Sequence, residues 1–144
     1  MLQACRELGT AFVAFSPLAR GFLGGALRDV STLAPGDIRR TMPRFAPEAY
    51  AANLRLLGAY EALAREAGCT PAQLALAWLL AQGPEIIPIP GTTSVAHLRD
   101  DLGAAEVRLP PELLARLDAL VHDRAMAGDR YPPQAQAEVD TEAF

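Results

Sequence analysis

Two short stretches concentrate the residue types that hold an anion. The first, Phe15-Ser16-Pro17-Leu18-Ala19-Arg20-Gly21-Phe22-Leu23, follows an apolar run and sets small residues beside one guanidinium. The second, Ile89-Pro90-Gly91-Thr92-Thr93-Ser94, follows another apolar run and leads to His97, Asp100 and Asp101. Small residues let backbone amides approach a phosphate closely, a helix N-terminus adds the positive end of its dipole, and Arg20 adds a fork of charged donors. Loops at the C-terminal ends of parallel strands converge, which is why ligands bind there. Gly-rich turns after strands are more often plain connectors, so residue type and spacing take each stretch no further than a generic anion site.

Nothing else in the chain offers a stronger chemical group. There is no lysine. Tyr50, Tyr60 and Tyr131 fall in helical or tail positions that read as structural, and Trp78 falls on a helical apolar stripe that reads as core. His97 on a helix surface, and His122 still more so, read as solvated, as does the loop cluster Arg39, Arg40 and Arg44. Cys5 and Cys69 are far apart, without a CxxC pair or a neighbouring His, so two reduced thiols are expected and no metal site.

The elements around the two corners follow from local signals. Residues 2–8 form a short helix that Gly9 stops, since glycine tolerates the left-handed conformation after a helix. Residues 10–15 are apolar, aromatic and β-branched, the pattern of a strand buried on both faces, and Ser16-Pro17 ends it because proline cannot donate to a ladder. Residues 18–47, with Gly21, Gly24, Gly25, Pro35, Gly36, Pro43 and Pro47, form a long loop of the kind that serves binding. Leu54, Leu57, Tyr60, Leu63 and Ala64 make 48–67 an amphipathic helix closed by Gly68.

Thr70-Pro71-Ala72-Gln73 predicts a capping box opening a second helix, with Leu74, Ala77, Trp78 and Ala81 on its inner face. Residues 85–89 form a strand in which Pro88 suits an edge. Hydroxyls of the next turn cap a helix over 95–102. A last helix over 111–121 should bury Leu114, Leu117, Leu120 and Val121, and 123–144 is a polar tail with at most one turn. The order is strand, long loop, helices, strand, helices, which implies an α/β fold with two β/α units of a parallel sheet in one domain, 1–144.

Bulk properties exclude several classes. The 144 residues are 51% hydrophobic and 21% charged with a net charge of -4, which suits a globular protein and disfavours nucleic acid, whose binding relies on clustered cations. Charge, Gly and Pro break every apolar stretch before the roughly 20 residues of a membrane span. Met1 opens onto Gln3, Cys5, Arg6 and Glu7, unlike a signal peptide, so a cytoplasmic location is expected.

At the two corners the sequence resembles the aldo-keto reductase family. Ala14 to Leu23 looks like the segment after the seventh strand of that family's barrel, commonly Tyr-Ser-Pro-Leu-Gly-Arg-Gly-Phe-Leu. Ile87-Pro88-Ile89-Pro90-Gly91-Thr92 with His97-Leu98 looks like the segment after the eighth. Gly36-Asp37-Ile38-Arg39-Arg40, Pro43-Arg44-Phe45, Asn53-Leu54, the run from Thr70 to Trp78, and Gly128-Asp129-Arg130-Tyr131-Pro132 are also similar to the family's C-terminal half, in order and spacing. The resemblance implies a C-terminal fragment of a TIM (β/α)8 barrel: its last two β/α units, a C-terminal helix and a tail.

It also implies a ligand, NADP(H). Phe15, where the family usually has Tyr, would lie against the nicotinamide and keeps the stacking face without the hydroxyl. Ser16, Leu18, Arg20, Gly21 and Leu23 would surround the pyrophosphate through backbone N–H groups and short side chains. Gly91, Thr92, Thr93 and His97 would border the adenosine 2'-phosphate, with Asp100 and Asp101 beside the adenine, and Pro17, Ile89 and Pro90 would also belong to the cofactor-binding set. Relatives carry Lys or Arg near Thr93 or Ser94 and Arg at His97, and a 2'-phosphate favours such cations. Asp101 replaces a usual Asn, offering only acceptors.

The family reduces carbonyl carbons with a Tyr as general acid, a Lys that lowers its pKa, an Asp and a His, all from the first half of the barrel. No residue here matches them, so the chain is expected to have no catalytic residue of its own and to reduce a carbonyl substrate only when an N-terminal half completes it. A barrel takes about 250 residues and eight strands, and two parallel strands leave open edges that invite self-association. The alternative is a non-catalytic dinucleotide-binding or protein-interaction module.

Overall fold

Two four-residue strands, β1 (Phe12–Phe15) and β2 (Ile86–Ile89), lie side by side and parallel. This is a computed structural model, and it describes residues 1–122 and 125–138. The register pairs Phe12 with Ile86, Val13 with Ile87, Ala14 with Pro88 and Phe15 with Ile89. Side chains alternate across a sheet, so Val13, Phe15, Ile87 and Ile89 share one face. That face is about half exposed, whereas Ala14 and Ile86 on the other are buried. The expectation that the first strand is covered on both faces is therefore corrected. An apolar run gives no alternation from which to read its open side, and among the described residues the layer of helices lies on one side only.

The helices follow their local signals. Helix α1 (Leu2–Leu8) ends at Gly9, which lies in the left-handed region. In α3 (Pro71–Ala81) the capping box is complete, with the Thr70 hydroxyl accepting the Gln73 amide and the Gln73 side chain accepting the Thr70 amide, each at 3.1 Å. The Ser94 hydroxyl caps α4 (Val95–Gly103) by accepting the His97 amide. A single turn, α6 (Pro133–Gln136), is the regular structure of the described tail.

The core forms where α2 (Pro47–Glu66), α3 and α5 (Pro111–Leu120) meet the long loop. Leu57, Leu74 and Leu117 are its largest fully buried apolar side chains. Phe45 stacks on Tyr50 at 5.5 Å and Phe22 meets the same ring edge-on at 5.8 Å, so the loop is packed. It is ordered by four 3-10 turns, Ala19–Gly21, Val30–Thr32, Ile38–Thr41 and Pro43–Phe45. Three expectations are corrected. Leu113, not Leu114, pairs with Leu117 in the core. Ala81 is exposed. Trp78 is half-buried at the edge of the core, its indole N–H donating to Asp118 at 2.7 Å.

Candidate functional site

Because Phe15 and Ile89 are partners in the ladder, the two corners start side by side. The first is strained. Ser16, Ala19 and Arg20 have φ of 50°, 49° and 56°, followed by Gly21 at 85°. The left-handed conformation costs a residue with a Cβ about 1 kcal/mol or more, and such strain clusters at functional sites. The turn closes on itself: the Ala19 amide donates to the Ser16 carbonyl at 2.9 Å, and those of Gly21 and Leu23 donate to the Leu18 carbonyl at 2.9 and 3.2 Å. The Gly21 and Leu23 amides are thus used within the loop.

Arg39 supports this turn from the long loop. Its Nη1 donates to the Arg20 carbonyl at 3.3 Å, while Asp37 accepts from its Nε at 2.9 Å and its Nη2 at 2.6 Å. The guanidinium hydrogen bonds, aided by the Arg39 amide, hold the Asp37 carboxyl down at about 2. Arg20 itself has no carboxylate partner among the described residues. Phe15 is 54% exposed.

The second corner is more open. Gly91, Thr92, Thr93 and His97 lie on the surface, with Pro90 half-buried. The Thr92 hydroxyl accepts the Ser94 amide at 3.1 Å, so it and the Ser94 hydroxyl are already engaged in the cap. Asp100 turns towards α3, where its Oδ2 accepts from the Thr70 hydroxyl at 2.9 Å and its carbonyl from Gln73 Nε2 at 3.1 Å. Asp101 is buried, and this desolvation, reinforced by the neighbouring Asp100 charge, pushes its carboxyl up.

A cleft of about 680 Å³ opens beside the first corner, lined by Phe15, Ser16, Arg20 and Leu23. Its other walls come from the long loop, with Arg44 and Phe45, and from the tail, with Met126 and Arg130. The second corner contributes nothing to it. The tail is held there by Asn53, a buried residue of α2 that bonds the Ala127 backbone, and by Arg44, whose Nε donates to the Gly128 carbonyl at 3.2 Å. Sequence reasoning missed Asn53 and the docked tail. A signal existed in an Asn on an apolar helical stripe and in Met126, Gly128 and Tyr131 within a tail read as polar.

No group of three or more metal-ligating side chains occurs among the described residues. No described helix is long and apolar enough to cross a membrane. Chemically, the first corner offers an accessible aromatic ring and a strained turn carrying the Arg20 guanidinium, and the second, which starts at the neighbouring strand end, leads to a capped helix start. The Tyr50 and Tyr60 hydroxyls are committed within the fold, donating to the carbonyls of Leu27 and Pro71, both at 2.8 Å, and burial pushes both phenols up.

The sequence pattern of the Aldo/keto reductase family matches residues 1–122. The chain is 40% identical over 139 residues to the aldo-keto reductase yakc (NADP(+)) of Schizosaccharomyces pombe, spanning 96% of this chain and 41% of that protein. It is 38% identical over 130 residues to aldo-keto reductase str7 of Strobilurus tenacellus, spanning 90% and 39%. Among solved structures it is similar to a thermostable aldo-keto reductase in complex with the inhibitor epalrestat, at 31% identity and a TM-score of 0.53, covering 83% of this chain and 33% of that one. It is also similar to the glycerol dehydrogenase of Gluconobacter oxydans, at 25% identity and a TM-score of 0.71, covering 83% and 36%. This chain therefore spans well under half the length of each.

Proposed function

The chain belongs to the aldo/keto reductase family, and from that premise we propose that its paired strand ends hold NADP(H) for an oxidoreductase that reduces aldehydes or ketones to alcohols. The observation that carries this reading is the register pairing Phe15 with Ile89, which sets the two corners next to each other. In this reading the fold is the last two β/α units, C-terminal helix and tail of a (β/α)8 barrel. An NADP(+) designation in one relative's name supports the choice of cofactor.

The residues present suit the two ends of that ligand unequally. The half-exposed Phe15 ring suits an aromatic stack, and Arg20 beside a turn of small residues suits a pyrophosphate. For a 2'-phosphate, the second corner has only Thr93 and His97 among the positions inferred above, since the hydroxyls of Thr92 and Ser94 are engaged. Weak discrimination between NADP(H) and NAD(H) follows.

When bound, the cofactor supplies the hydride. This chain's residues would orient the nicotinamide on Phe15 and neutralise phosphate charge with Arg20. With no lysine and its two buried tyrosines engaged, the chain leaves the proton-donating Tyr, its Lys, the Asp and the His to a segment outside these residues, and is inactive alone.

Titrating NADPH into the chain tests this. Saturable quenching of cofactor fluorescence should accompany a rise in melting temperature, since a ligand at 100 times its dissociation constant stabilises the folded state by about 2.7 kcal/mol. If neither signal moves, the cofactor reading fails. Carbonyl-dependent NADPH oxidation by the chain alone would overturn its inactivity. A second reading, a non-catalytic module that binds a dinucleotide or a protein, is favoured by the open sheet face of Val13, Phe15, Ile87 and Ile89. It predicts self-association or partner binding with no gain of activity from an added N-terminal half.

A further inference from the structure

We propose that Arg130 makes this site prefer the reduced cofactor over the oxidised one, by holding a positive charge on one face of the Phe15 ring while the nicotinamide takes the other. This rests on the reading of Phe15 given under the proposed function. The Arg130 guanidinium carbon lies 4.9 Å from the centroid of Phe15 and 5.3 Å from that of Tyr131, within the range of a cation–π contact. Phe15 stays 54% exposed, so ring surface remains for a ligand.

The cation is held in place by its segment. Asn53, 1% exposed, bonds both the amide and the carbonyl of Ala127. Arg44 holds the next carbonyl, and Gly128 lies so close to Pro43 that a Cβ there would come within 2.7 Å of its oxygen. Two residues on, Arg130 is delivered to the ring at the rim of the cleft.

The two cofactor forms differ by one charge at the nicotinamide: the reduced ring is neutral and electron-rich, the oxidised ring cationic. A guanidinium one ring-thickness away repels the cationic form, and by drawing π density to its own side it weakens the face left for a cation. No proton or electron moves in this step, so the effect appears in binding alone. Its expected size is roughly fivefold in the ratio of dissociation constants, for one charge pair at this separation in a partly screened site.

The test measures dissociation constants of NADPH and NADP(+) separately for the whole chain, as wild type and as Arg130→Gln, Arg130→Met and Arg130→Lys. The NADP(+)/NADPH ratio should fall about fivefold in whichever neutral variant folds and stay near the wild-type value in Arg130→Lys. An unchanged ratio in a folded neutral variant overturns the inference. So does equal tightening of both forms, which would put Arg130 on the cofactor's own face. Failure of the wild type to bind either form is a different result: it defeats the cofactor reading itself and this inference with it.

Discussion

Asn53 pairs with Ala127 as one strand pairs with another: its Oδ1 accepts the Ala127 amide at 2.8 Å and its Nδ2 donates to the Ala127 carbonyl at 3.1 Å. The same Nδ2 donates to the Arg44 carbonyl at 3.2 Å. A side-chain amide can serve both directions at once because it carries a donor and an acceptor. One buried residue of α2 thereby fixes the tail to the long loop, and the cleft gains its third wall.

Replacing Asn53 with Asp tests how much this joint matters. The substitution keeps size and shape but turns a donor into an oxygen facing two carbonyls in a buried site. We expect a loss of about 3 kcal/mol, the range for a buried polar group left without its partner, read as a lower midpoint in urea. Trypsin should also cut faster after Arg130. A variant as stable and as protected as the wild type would show that the tail is held by other contacts.

Two glycines with left-handed backbone should respond differently to alanine. At Gly9, with φ of 64°, an added Cβ meets nothing within 4 Å, so only backbone strain of about 1 kcal/mol is paid. At Gly128, with φ of 83°, the same atom would stand 2.7 Å from the Pro43 carbonyl oxygen. Gly128→Ala should therefore lower the melting temperature clearly more than Gly9→Ala. Equal shifts would mean that the tail yields without cost.

The loop under the first corner should be sensitive to acid. Asp37 titrates at about 2 in the fold against an ordinary 3.8, chiefly through its hydrogen bonds from Arg39. A depressed carboxyl pKa stabilises the folded state fully above the unfolded value, and the benefit fades as pH falls through that value towards the folded one. The wild type should thus be more stable than Asp37→Asn at pH 6, with the gap closing between about pH 4 and about pH 2. A gap that stays constant across thermal melts in this interval would break the link between Asp37 and Arg39.

Local signals explain what was legible in the sequence. The box at Thr70, the cap at Ser94 and the stop at Gly9 each need only neighbours within four residues, and each is present. The neighbouring corners were legible through the family resemblance more than through composition. Contacts across long separations were not: Asn53 meets a partner 74 residues away, and Arg130 reaches Phe15 across most of the chain. Leu113 and Leu114 are chemically equal, so only the angle at which α5 meets α2 decides which is buried.

The strands offer the sharpest contrast between adjacent positions. Ile86 is 5% exposed and Ile87 49%, although an apolar run makes them look alike. Ile86→Ala should cost about 3 kcal/mol, in the range for emptying a buried aliphatic site, whereas Ile87→Ala should cost well under 1 kcal/mol, as for an exposed position. Ile87 also belongs to the open apolar face, and such a face promotes association. Ile87→Lys should therefore lower the mass seen by light scattering at high concentration without lowering the melting temperature. If it unfolds the chain instead, that face is covered, and the one-sided sheet described above is wrong.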